Sequence, residues 1–112
     1  MKLRSLPLLL ALAAAGAGAA DAPPPGMAAI ETLGRLNGQA LACSEAAAAA
    51  RAKELMLRHA PRTSGYGTVY EQATQRGFAD QVRAAACPAG SELVQRIDVV
   101  AAELGRQLPP AP

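Results

Sequence analysis

Two cysteines and one histidine are the residues of this chain best suited to covalent or metal chemistry. Two cysteines in a small exported domain are typical of a single disulfide bond, so Cys43 and Cys87 are predicted to be joined. They lack the C-x-x-C spacing that holds a reactive thiolate. A structural bond is therefore favoured over a redox-active site.

Metal binding is the alternative use of Cys43. Together with Met56 and His59 it would offer the soft ligands that suit Cu(I). A disulfide would consume the thiolate, however, and Met27 would then have to join the site from elsewhere in the chain. We predict no metal site and no cofactor.

Enzymatic chemistry finds little support. His59 is the only imidazole base, and neither Thr63 nor Ser64 lies in a G-x-S-x-G context or beside an evident acidic partner. The carboxylates are scattered singly, and the glycines near Tyr66 are not followed by the Lys-Ser/Thr of a phosphate-binding loop. The sequence predicts a non-enzymatic protein.

A cluster of interface-type residues is the strongest candidate for binding. Within residues 58–70, His59, Arg62, Tyr66 and Tyr70 surround a turn that contains glycine. Tyr and Arg are enriched in interface hot spots. We predict an interaction patch here, with a protein partner of unknown identity. The alternative is that Tyr70 packs in the core and Tyr66 fills the loop.

Apolar periodicity predicts helices over residues 27–43 and 44–59, then from Thr68 to Cys87, and finally from residues 88–91 onward. Ser44 is expected to cap the second helix, although one long bent helix over 27–59 is an open alternative. Thr68 and Glu71 match a capping box. The predicted fold is all-α, a small disulfide-stapled antiparallel bundle of three to four helices.

Packing predictions follow from the same pattern. Gly34, Gly38 and Ala42 recur every four residues and should let another helix approach closely, with self-association through this face an open alternative. Few large apolar residues are available for the core. The candidates are Ile30, Leu33, Leu36, Leu41, Leu55, Met56, Leu57, Val69, Phe78, Val82, Leu93, Val94, Ile97, Val100 and Leu104.

The N-terminal residues predict export. Lys2 and Arg4 precede a short apolar stretch and small residues, the pattern of a cleaved signal peptide over residues 1–20, with cleavage after residue 19 or 20. Residues 21–26 then form a proline-rich spacer, 27–107 a single helical domain and 108–112 a proline-rich tail. We expect a periplasmic protein with no stable membrane anchor after cleavage; an uncleaved anchor is the alternative.

Charge excludes one large class of partners. The full chain has 11 Lys and Arg residues against 9 Asp and Glu residues. Loss of the leader removes Lys2 and Arg4 and leaves nine of each sign, so the mature chain is neutral. Its arginines are spread out and no nucleic-acid-binding motif is present, so no nucleic-acid partner is expected.

Two function classes remain. In outline, an exported helical domain with a glycine-containing first helix, a helix ending near His59 and Pro61 and paired cysteines resembles small type VI secretion immunity proteins. The likeness spans most of the mature chain but contains no specific motif. It implies an inhibitor or immunity factor that occludes a protein partner. The alternative is an envelope stress protein, either a small holdase chaperone or a metal buffer.

Overall fold

The structure is a computed structural model and describes residues 22–63 and 65–110. Residues 1–21, which include the predicted leader, Ser64 and the last two residues lie outside this part. All regular elements within it are helices: α1 Met27–Ala42, α2 Ala46–His59, α3 Tyr66–Ala84 and α4 Gly90–Gln107. The all-α prediction is confirmed.

Contacts between the helix ends give the topology. The start of α1 meets the end of α4, where Gly26 lies against the Leu108 side chain, and the end of α2 reaches the same place through His59. At the other end, Gly90 lies against the Glu45 carboxylate. Consecutive helices therefore alternate in direction, which confirms the predicted antiparallel bundle.

The core is built almost entirely by three helices. α1, α2 and α4 each contact the other two. The largest fully buried side chains are Ile30, Leu33, Leu55, Leu93, Ile97 and Leu104. The four-residue and three-residue steps between Leu93, Ile97, Val100 and Leu104 place one continuous apolar stripe of α4 in this core.

α3 packs differently, because among the described helices it approaches only α1 closely. The two run parallel and meet through glycines. A Cβ atom added to Gly34 would lie 2.7 Å from the Cβ of Ala73, and one added to Gly38 would overlap the Thr74 carbonyl oxygen. Gly77 meets the backbone of α1 in the same way. The predicted close approach is thus made within one chain, by α3.

Polar side chains complete the α1–α3 contact. Asn37 Nδ2 donates to Thr74 Oγ1 at 3.2 Å, and Gln39 Nε2 donates to Gln81 Oε1 at 2.7 Å. Gln81 Nε2 in turn donates to the Ala86 carbonyl at 2.7 Å. The buried amides Asn37 and Gln81 are therefore satisfied, as burial requires.

The disulfide joins the ends of these two parallel helices. Cys43 and Cys87 are bonded, with their Cα atoms 5.8 Å apart, which confirms the predicted pair. Cys43 is half-buried and Cys87 is exposed. The bond therefore ties the link after α1 to the link after α3.

The boundary between α1 and α2 resolves the question of one helix or two. Ser44 has φ 57, in the left-handed region. Its N–H donates to the Leu41 carbonyl, and the Glu45 N–H donates to the Ala40 carbonyl. This is a Schellman motif, which ends a helix. The prediction that Ser44 caps α2 is wrong, because Ser44 terminates α1 and Glu45 occupies the N-cap position.

The predicted start of α3 is also wrong. The helix begins at Tyr66, and the N-cap is Gly65, with φ 110 and no side-chain hydrogen bond. The Val69 N–H already donates to the Gly65 carbonyl at 2.9 Å. Thr68 and Glu71 are therefore inside the helix and form no capping box.

Four predicted core residues lie at the surface: Leu41, Leu57, Phe78 and Val82. On α3 the cause is the glycine contact, since Ala73, Gly77 and Gln81 face α1 and leave Phe78 and Val82 on the flank. Leu57 is 70% exposed because α2 buries Ala48, Ala52 and Leu55 instead.

No helix within residues 22–63 and 65–110 combines the length and the apolar character that a membrane span requires.

Candidate functional site

His59, the first residue of the predicted patch, faces the chain terminus. Its Nδ1 donates to the Leu108 carbonyl oxygen at 2.7 Å, and the ring is half-buried. Leu108 is itself buried and lies against Gly26, whose φ of 74 favours glycine. His59 thus ties the end of α2 to the end of α4.

Tyr66 also has an internal role. Its side chain is only 6% exposed, and its hydroxyl donates to the Pro25 carbonyl at 2.8 Å. A buried tyrosine usually needs such a partner for its polar end. The contact fastens the residues before α1 to the start of α3.

Tyr70 lies at the edge of the core. The side chain is half-buried beside Asn37 of α1 and Lys53 of α2. Burial disfavours the phenolate and raises the pKa of Tyr70 to about 12.

The raised pKa predicts a specific alkaline behaviour. The unfolded value is about 10, so the folded chain keeps its proton at a pH where the unfolded chain loses it. Stability is retained below pH 10 and is lost as the pH rises from 10 to 12. Tyrosinate absorbance of the folded chain should show a transition near pH 12 that Tyr70→Phe removes. Complete ionisation near pH 10 would contradict this.

Arg62 is the only exposed member of the predicted patch, since the other three are buried or half-buried. It borders a depression with Met56, Leu57 and Gly67. Of the four patch residues, Arg62 and the edge of Tyr70 are therefore turned to the surface, whereas His59 and Tyr66 hold the chain ends. That this region binds a protein partner stays a prediction. Only Arg62 and Tyr70 of the four residues are placed to take part.

A larger surface includes Arg62 and Tyr70. Because α2 and α3 each lie on α1 but not on each other, a groove separates them, with Asn37 and Leu41 of α1 on its floor and Tyr70 of α3 at its edge. We call its two walls, with this floor, the α2/α3 face. Ala46, Ala50, Lys53 and Leu57 of α2 border depressions along the groove and form one wall. On α3, Gly67 borders the depression at one end, beside Arg62, and the helical steps from Gly67 place Glu71, Thr74 and Phe78 on the same side of the helix as the second wall.

Exposed apolar side chains mark this face. Leu57 is 70% and Phe78 44% exposed on the walls, Leu41 is exposed on the floor, and Val82 is exposed one helical turn beyond Phe78. Sequence reasoning assigned all four to the core. One signal pointed the other way for Leu57: it lies outside the helical stripe formed by Ala48, Ala52 and Leu55.

The charges on the face lack partners. Within the described residues, no carboxylate lies within 4.0 Å of the cations of Lys53 or Arg62. By contrast, on the other side of α3, Glu31 pairs with both Arg35 and Arg76. The α2/α3 face therefore combines unpartnered apolar groups with unpaired charges.

Groups suited to metal binding are not brought together in the part of the chain that the structure describes. Across the described ranges there is no cluster of three or more His, Cys, Asp or Glu side chains arranged for a metal ion. Both cysteine sulfurs are bonded to each other, and one nitrogen of His59 is engaged by Leu108.

Comparison with family models, curated proteins and solved structures found no match to this chain.

Proposed function

We propose that this protein is an exported, non-enzymatic interaction protein that neutralises a protein partner by occluding it. The observation that carries the proposal is the α2/α3 face, where Leu57 and Phe78 are exposed and Lys53 borders the groove without an ion-pair partner among the described residues. Exposed apolar groups rimmed by polar ones are typical of protein-binding surfaces.

The rigidity of the surroundings supports binding by occlusion. The groove floor belongs to α1, which is held on one side by the core and on the other by α3 and the disulfide. A surface that is already ordered loses little conformational entropy on binding. Such a preformed face suits an inhibitor or immunity factor, which must cover its target tightly.

Export is supported by the same bond. Disulfides persist in oxidising compartments such as the bacterial periplasm and are rare in the cytosol. The bonded Cys43–Cys87 pair agrees with the predicted signal peptide over residues 1–20. We propose the periplasm as the location.

A small holdase chaperone is the second candidate, favoured by the exposure of Leu57, Phe78 and Val82. Holdases bind many unfolded chains through such apolar groups, whereas an inhibitor binds one target. The number of partners therefore separates the two. No observation on the described residues favours the metal-buffer alternative.

Affinity capture from periplasmic extract, with mild crosslinking and mass spectrometry, tests the proposal. We expect one stoichiometric partner for the wild-type chain and at least a tenfold loss for Phe78→Asp, since a carboxylate on the groove wall must be desolvated on binding. The matched control is Val99→Asp, because Val99 is 72% exposed on α4, away from the groove.

Equal capture by Phe78→Asp and by the wild-type chain would contradict the proposed surface. A broad set of unfolded chains, lost in Phe78→Asp, would favour the holdase. Loss in Val99→Asp alone would move the binding site to α4.

A further inference from the structure

We propose that the α2/α3 face is self-complementary and that a second copy of this chain covers it in a two-fold symmetric dimer. The inference rests on the proposed function, because it assigns a partner to the same protein-binding surface.

The two walls carry their residues at identical intervals. The α2 wall steps through Ala46, Ala50, Lys53 and Leu57, and the α3 wall steps through Gly67, Glu71, Thr74 and Phe78. Each series advances by four, three and four residues, which keeps one side of a helix in line.

The walls are also level with each other. Leu57 and Gly67 border the same depression at one end of the groove. The helices run in opposite directions, and each rises about 1.5 Å per residue. Lys53 and Glu71, each one turn from the pair Leu57 and Gly67, therefore lie at the same height along the groove. Lys53 and Tyr70, the neighbour of Glu71, do border one depression.

This arrangement has the symmetry of a dimer. A two-fold axis parallel to the groove places the α2 wall of one copy against the α3 wall of the other. Rotation about this axis does not shift a residue along the groove, so residues at the same height stay at the same height. A residue on one wall thus meets its level counterpart from the second copy, and the contact occurs twice.

The charges are complementary under that rotation. Lys53 of each copy faces Glu71 of the other. Within the described residues neither side chain has an ion-pair partner in the single chain, so the dimer gains two ion pairs. Both side chains are exposed in the single chain, so both are accessible to a second copy. Complementary charge fixes register and excludes wrong arrangements.

The shapes are complementary as well. Leu57, which is 70% exposed, faces Gly67 of the second copy, where no Cβ competes for the space. Phe78 faces Ala46 of the second copy, eleven residues further along each wall. Large side chains thus meet small ones at both ends. The stripe is about 17 Å long, and it covers the apolar groups that the single chain leaves in solvent.

The opposite surface of α3 offers no comparable match. There Glu31, Arg35 and Arg76 already pair within the chain. A heterologous partner that uses the α2/α3 face has to displace the second copy, so capture should convert a dimer into a complex with one copy of this chain.

Sedimentation velocity on the exported, oxidised chain tests the dimer through a charge swap. Lys53→Glu and Glu71→Lys each place like charges opposite each other twice, and each should weaken dimerisation about tenfold. The double variant K53E/E71K restores opposite charges and should recover the wild-type constant to within about threefold. An equimolar mixture of the two single variants should form mixed dimers.

A second test does not depend on the charge swap. Leu57→Asp should give monomers, whereas the control Val99→Asp should dimerise like the wild-type chain. A wild-type chain that is monomeric at all concentrations, or a double variant without recovery, would overturn the dimer. If that monomer still loses its partner on Phe78→Asp, the proposed function stands. If the wild-type chain is a dimer but Phe78→Asp captures the heterologous partner as well as the wild-type chain does, the proposed dimer stands and the proposed function is overturned.

Discussion

Gly38→Ala should destabilise the protein by about 2–4 kcal/mol, although alanine is the better helix former. The added methyl would overlap the Thr74 carbonyl oxygen and the Phe78 nitrogen. Both are backbone atoms of a helix, so no side chain can rotate away and α3 must move off α1. That movement breaks the hydrogen bond from Asn37 to Thr74.

Gly105→Ala is the matched control for this effect. Gly105 lies on the exposed side of α4, and no atom lies within 4 Å of an added Cβ. This variant should gain about 0.5–1 kcal/mol from helix propensity alone. Urea unfolding measures both changes. Equal stability of the two variants would mean that α1 and α3 do not approach as closely as described.

Replacing both cysteines by serine should cost roughly 4 kcal/mol, the chain-entropy value for closing a loop of 44 residues. For a domain of this size the melting temperature should fall by about 15 °C or more. The reason is local as well as global. The one large buried aromatic side chain of α3, Tyr66, lies at the start of the helix, and towards the disulfide α3 buries only Ala73, Gly77 and Gln81.

Hydrogen exchange should reveal where the bond acts. In the double serine variant, amides near Gln81 should exchange faster, while those near Leu33 and Ile97 in the three-helix core keep most of their protection. The wild-type chain in reducing agent should behave like the variant. An unchanged melting temperature would mean that the bond is peripheral to the fold.

Much of the fold could be predicted from local pattern. The spacing of Leu93, Ile97, Val100 and Leu104 indicates one buried stripe, and two cysteines in an exported chain indicate one bond. Gly34 and Gly38 indicate that a helix comes close. Their spacing does not say which helix, and this choice decides the rest of the surface.

That choice explains the errors over the core. Because α3 uses Gly77 to reach α1, its larger residues Phe78 and Val82 are left on the flank. Periodicity locates an apolar stripe on a helix but does not show how much of that stripe the neighbouring helix covers. The exposed α2/α3 face could not be predicted for this reason.

The errors over the patch have another cause. Tyr66 and His59 bond to the carbonyl groups of Pro25 and Leu108, which are 41 and 49 residues away in sequence. The sequence predicts only a proline-rich spacer and a proline-rich tail at these two positions. Long-range contacts of this kind leave no local signal, whereas exposed Arg62 lies where residue type alone suggested.

Site-specific photocrosslinking in living cells tests the central claim most directly, that the α2/α3 face is the protein-binding surface. A photoreactive residue would replace Phe78, and in a control chain it would replace Val99, which is the more exposed of the two. We expect discrete adducts from position 78 and none from position 99. An adduct of twice the chain mass identifies the second copy, and any other mass a heterologous partner. Adducts from position 99 alone would contradict the account.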